Sequence, residues 1–91
     1  MMTENSRSAD RAASARPVKR SFSIAGHKTS ISLEAAFWDA LREAAVRERT
    51  SLAGLVQRID ETRGGAGLSS AVRVWLLEEL RQRAAEPYQS G

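Results

Sequence analysis

The hydrophobic period changes once within the stretch HKTSISLEAAFWDALREAA, residues 27–45, and that change limits the fold more than any other feature. Through Leu33 the apolar side chains fall on every second residue; after Glu34 they fall on every third or fourth. Period two belongs to a half-buried strand and period 3.6 to an amphipathic helix. A short strand therefore runs directly into a helix. A lone strand is unstable, and so is a single hairpin, so residues 29–33 need an edge to pair with and a surface to cover them.

Upstream, RSFSI (residues 20–24) also alternates, with Phe22 and Ile24 on one side. It reads as a hairpin mate or as an extended lead-in, and the lead-in is the preferred reading. Ala25-Gly26-His27 interrupts the two runs, and Gly26 can take backbone angles closed to other residues.

Size then decides where the missing edge comes from. The chain has 91 residues, enough for one domain. Residues 1–19 are polar, small and nonperiodic, so they read as a disordered basic N-terminal tail. Residues 20–84 are expected to form the folded domain, and residues 85–91, with Pro87, a frayed C-terminus. So small a domain commonly needs disulfides, a metal or a partner chain. With no cysteine and one histidine, a second copy is the simplest staple. The expected architecture is mostly α: one short strand pairs antiparallel across a homodimer and three helices follow.

The first helix is predicted over Ala35 to about Arg49, with Phe37, Leu41, Ala44 and Ala45 as its stripe and Trp38 widening it. Glu43 and Arg47 sit four apart on its outer face. Ser51 is the predicted N-cap of the second helix, whose stripe is Leu52, Leu55, Val56 and Ile59. Gly54 costs about 1 kcal/mol against alanine inside a helix and suggests room for another helix to approach. Gly64-Gly65-Ala66-Gly67 breaks the chain, and Leu68-Ser69 opens a third helix. That helix carries apolar side chains on more than one stripe (among them Val72, Val74, Trp75, Leu76, Leu77 and Leu80), so burial on two sides is expected, one against the partner. The predicted shared core of the dimer is Ile31, Leu33, Phe37, Leu41, Leu55, Val56, Ile59, Val72 and Leu76.

Catalysis finds no support. His27 has no acidic neighbour in sequence and no nucleophile pattern beside it. Asp60-Glu61 and Glu78-Glu79 are adjacent pairs, whose side chains diverge on a helix. The glycine run lacks the lysine of a phosphate loop. No enzyme activity, metal or cofactor is expected. No window of about 20 apolar residues is present to span a membrane, and no apolar signal-peptide core opens the chain, so a cytoplasmic location is expected.

The charge balance points to a partner. Residues 1–28 carry six basic and two acidic side chains, and residues 29–91 carry eight and nine. A basic arm beside a near-neutral body fits a polyanion. On the strand, Lys28, Ser30 and Ser32 face away from Ile31 and Leu33, and two such strands would form a ribbon that fits the major groove of DNA. Arg20 adds charge at the strand entrance. The free N–H groups at the start of the second helix, at Leu52 and Ala53, could hold a phosphate with Ser51, and Arg49 stands just before them.

The block from Arg20 to Leu80 resembles the ribbon-helix-helix superfamily of bacterial DNA-binding proteins. More narrowly it is similar to a subfamily found mainly in alphaproteobacteria. AGHKTSISLE, the AFW and ALRE elements, SL-LV-ID and GLSSA-RV together carry the likeness. The resemblance implies base reading by Lys28, Ser30 and Ser32, and a phosphate held at Ser51 and Leu52. It implies a homodimer, or a tetramer on double-stranded DNA, that represses transcription, often of its own operon. LSSAVRVWLL also reads like the superfamily's second helix, so Ser69 and Ser70 remain alternatives for the phosphate role. The competing reading is a dimeric protein-interaction adaptor or antitoxin-like protein that presents the third helix to a protein partner.

Overall fold

The computed structural model describes residues 15–85. The chain runs β1 (Pro17–Ile24), β2 (His27–Glu34), α1 (Ala35–Arg47), α2 (Leu52–Thr62) and α3 (Leu68–Ala85). The expected tail and frayed end at residues 1–14 and 86–91 lie outside the described residues.

β1 and β2 form an antiparallel hairpin in which Ile24 faces His27 and Pro17 faces Glu34. Ala25 and Gly26 make the turn with φ of 52° and 84°. Positive φ at both central positions gives the turn whose twist matches that of paired strands. Two expectations are corrected here. Residues 20–24 are the hairpin mate, not a lead-in, and residues 17–19 are strand, not tail. The antiparallel mate sought in a second copy is supplied within the chain.

The bonding pattern of the hairpin follows from one contact beyond it. The Ala35 N–H donates to the Arg16 carbonyl at 3.0 Å, in register with the strands. Alternation then assigns the bonded pairs to Val18–Leu33, Arg20–Ile31, Phe22–Thr29 and Ile24–His27. The N–H and C=O groups of Lys28, Ser30 and Ser32 point out from the edge of β2. Consistently, the Ser32 N–H donates to Ser69 Oγ at 3.3 Å.

The three helices cover one face of the hairpin. Ile24, Ile31 and Leu33 are buried there, with Trp38, Leu41, Ala44 and Ala45 of α1, Leu55, Val56 and Ile59 of α2, and Val72 and Leu76 of α3. Thus eight of the nine residues predicted for a shared dimer core are buried within a single chain. Phe37 is the exception: it is half-buried, with the Arg73 guanidinium 5.9 Å over its ring. Trp38 takes the central place instead, because the hairpin lies on its side of α1. Its Nε1–H donates to the Val18 carbonyl at 2.9 Å, and its ring lies 5.8 Å from that of Phe22.

α1 ends two residues earlier than predicted. The Arg49 N–H donates to the Val46 carbonyl at 3.1 Å and the Thr50 N–H to the Ala45 carbonyl at 3.0 Å. This paired closure needs a left-handed residue at Arg49, whose φ is 57°. Ser51 then caps α2, with its Oγ accepting from the Gly54 N–H at 2.9 Å. Gly54 does not make room for another helix. A Cβ there would collide with Thr50 Oγ1 and lie 3.1 Å from Ser51 Oγ, so the glycine accommodates the cap itself.

α3 is buried on one side only. Val72 and Leu76 face the core, whereas Val74, Leu77 and Leu80 are 53%, 47% and 59% exposed. Arg47 pairs not with Glu43 but across to Glu79 of α3, at 3.3 Å. Beside that pair, α1 and α3 form a groove of about 370 Å³ lined by Phe37, Ala40, Leu76, Leu77 and Leu80 among others.

Candidate nucleic-acid interface

Strand alternation puts Lys19, Ser21 and Ser23 of β1 on the same outer face as Lys28, Ser30 and Ser32 of β2. Across the hairpin the pairs are Lys19–Ser32, Ser21–Ser30 and Ser23–Lys28. All six side chains are exposed. The hydroxyls of Ser21 and Ser30 lie 3.3 Å apart, within hydrogen-bond reach. The result is a narrow polar strip with an ammonium group near each end and short hydroxyls between.

The acid that follows Ser32 by two positions on β2 is already matched. Glu34, opposite Pro17, receives Arg73 Nε at 3.0 Å and Nη2 at 3.4 Å. The Arg73 hydrogen bond, helped by the Glu34 backbone N–H, holds this carboxyl below the usual carboxylate range. The unpaired charges left on the strip are therefore positive.

The other predicted contacts are not gathered here. Arg20 pairs with Ile31 and so lies on the opposite side of β1 from the strip, with its guanidinium 5.4 Å over the Trp38 ring. Arg49 is exposed at the α1–α2 corner, and Ser51 and Leu52 start α2 beside it. The hydrogen bonds among the described residues link none of these three to the hairpin's outer edge. The start of α3 does meet it: Ser69 accepts from the Ser32 N–H, and Arg73 Nη2 reaches the Ser32 carbonyl at 3.5 Å. Of the two helix starts left open by the sequence, that of α3 adjoins the ribbon.

Lys19, Ser21 and Ser23 are missing from the sequence-derived site. The signal for them is the two-residue Ala25-Gly26 break between two alternating runs, which specifies a hairpin and fixes the facing of both strands.

Residues 17–80 match the family of ribbon-helix-helix domains. The chain belongs to that family. The match opens at Pro17, the first residue of β1, and names no alphaproteobacterial subgroup. The domain is also similar to the solved structure of an uncharacterized protein from Bordetella pertussis Tohama I. The two share 30% sequence identity with a TM-score of 0.74, over 87% of this chain and 67% of that one. No curated protein matches. Among the described residues of this ribbon-helix-helix domain no cluster of His, Cys, Asp and Glu could hold a metal ion. Nor is any described helix long and apolar enough to cross a membrane.

Proposed function

We propose that this ribbon-helix-helix domain binds double-stranded DNA by laying the outer face of its hairpin in the major groove, and that it acts as a homodimeric transcriptional repressor or autoregulator. The observation that carries the reading is the exposed six-residue strip, with Lys19 and Lys28 toward its ends and the adjoining Glu34 engaged by Arg73. A two-stranded ribbon has the width to enter the major groove, and lysine can donate to guanine acceptors or to phosphate. Hydroxyls of Ser21, Ser23, Ser30 and Ser32 can donate to or accept from several base edges. The start of α3 beside Ser32 supports a phosphate contact there, from N–H groups left without helical partners.

The supporting observation for a dimer is the groove between α1 and α3. Its lining combines apolar Phe37, Leu77 and Leu80 with Glu43, Glu79, Arg47 and Arg83. A surface carrying both signs beside an apolar strip is complementary to itself, so a second copy is the occupant we assign. The same exposed Val74, Leu77 and Leu80 support the competing reading, an adaptor or antitoxin-like protein that engages another protein through α3.

Fluorescence polarisation with duplex DNA from the gene's own upstream region tests the DNA reading. Binding is expected to weaken steeply as salt rises, because phosphate contacts release counterions. Lys28→Ala is expected to weaken it about tenfold with an unchanged circular dichroism melt. Salt-independent binding, or K28A indistinguishable from the native chain, contradicts the proposal.

A further inference from the structure

The six side chains of the outer strip repeat under a half-turn about the sheet normal. Rotation about an axis through the Ser21–Ser30 pair exchanges the strands. Lys19 then falls on Lys28, Ser21 on Ser30, and Ser23 on Ser32. Because the strands are antiparallel, backbone direction is preserved as well. We infer that one chain's hairpin is a complete reading head with internal two-fold symmetry, fitted to a short inverted repeat in duplex DNA, with Lys19 and Lys28 as equivalent contacts on its two halves. This inference rests on the DNA-binding reading and adds two things to it. It recruits Lys19, Ser21 and Ser23 as contacts, and it makes the unit of recognition one chain.

The dimensions agree. Lys19 and Lys28 are four strand positions and one strand apart, about 14 Å between Cα atoms at standard strand geometry. That spans about four base-pair steps of about 3.4 Å. A self-complementary sequence has a dyad normal to the helix axis, and protein symmetry is mirrored in operator symmetry for that reason. Here the Ser21–Ser30 pair would lie over the centre of the repeat, and each lysine over an outer base pair. The environment of the strip breaks the symmetry at one end only. Ser69 and Arg73 flank Ser32, and no described hydrogen bond joins α3 to Ser23, its counterpart. The α3 flank can therefore orient the chain through a phosphate while the six strip residues read both halves alike.

Selection of binding duplexes from a randomised pool by the full chain, followed by polarisation titrations, tests this. The selected core is expected to be an inverted repeat of about five base pairs. K19A and K28A should each weaken binding about tenfold, and by the same factor within about twofold. A duplex with one half altered should bind the native chain about tenfold more weakly, yet bind either variant no more weakly than the intact duplex does. Each variant can turn its missing lysine toward the altered half. A core without inverted symmetry, or loss with K28A but none with K19A, overturns the inference while leaving DNA binding by β2 standing. Failure of the native chain to retain any duplex at low salt overturns both.

Discussion

Arg73 on α3 donates through Nε to Glu34 Oε1 at 3.0 Å, across the junction where β2 becomes α1. The same guanidinium reaches the Ser32 carbonyl, so one side chain joins α3 to the end of the ribbon. Since the Arg73 hydrogen bond lowers the Glu34 pKa in the folded state, folding favours the ionised carboxyl. The resulting stabilisation is complete above the unfolded value, about 4.3 for glutamate, and is lost as pH falls through the lower folded value. Melting of the native chain and of Glu34→Gln should therefore differ most between about pH 5 and 7, and the gap should shrink as pH falls below the ordinary glutamate range, about 4.3. A gap that stays constant as pH falls from about 6 to about 2 contradicts the assignment.

Among the described residues two other than glycine hold positive φ, Ala25 at 52° and Arg49 at 57°. Ala25 occupies the first position of a turn that favours asparagine, and Arg49 the helix-ending position that favours glycine. Ala25→Asn and Arg49→Gly should each stabilise the fold by about 0.5–1 kcal/mol, raising Tm by about 4–8 °C per kcal/mol for a domain of this size. R49G separates two roles of that position. If Arg49 also contacts a phosphate, the more stable variant should bind DNA with a salt slope reduced by about one. Lower stability in either variant contradicts the strain argument.

Trp38 meets β1 at three alternate residues: it donates to the Val18 carbonyl, stacks against Phe22 and lies under the Arg20 guanidinium. One ring thus fastens β1 to the helices. Trp38→Phe keeps an aromatic face but loses the donor and leaves a small void, at a cost of about 1–3 kcal/mol. The diagnostic measurement is native-state hydrogen exchange. Amides in the bonded pairs of β1, such as Arg20 and Phe22, should lose more protection than those of α2. A uniform loss means the ring serves only as general core.

These contacts explain what the sequence conceals. Phe22 and Ile24 show only a short alternation, and Arg20 breaks it at a position that faces the helices. A guanidinium there looks like the end of the strand. Only the Trp38 ring, eighteen residues downstream, makes it acceptable. Once β1 reads as a lead-in, Lys19, Ser21 and Ser23 have no assigned face, and the need for a pairing edge passes to a second copy. By contrast, Ile31 and Leu33 fix the facing of Lys28, Ser30 and Ser32 without any tertiary information. The Ser51 cap and the glycine run are equally local, and the helix limits they set agree with the structure. The burial side of α1 depends on where the hairpin lies, which is why Trp38 and Phe37 exchange their expected roles.

The groove between α1 and α3 makes the assembly testable apart from DNA. Leu77 and Leu80 are about half exposed in one chain, and the core of that chain closes without them. Leu77→Asp with Leu80→Asp places two carboxylates where the second copy is assigned, beside Glu43 and Glu79 of the same groove. Even with Arg47 and Arg83 lining the same groove, losing two leucines and burying two carboxylates costs several kcal/mol on each side of a symmetric contact, enough to dissociate it. Sedimentation at micromolar protein should show a dimer for the native chain and a monomer for the double variant, both with the same far-ultraviolet circular dichroism. Because each hairpin is complete within its chain, the monomeric variant should still bind a single repeat at low salt, and lose only the added affinity that two linked heads confer. A native chain that sediments as a monomer removes the dimer; a monomeric variant with no residual DNA affinity shows that the ribbon acts only in pairs.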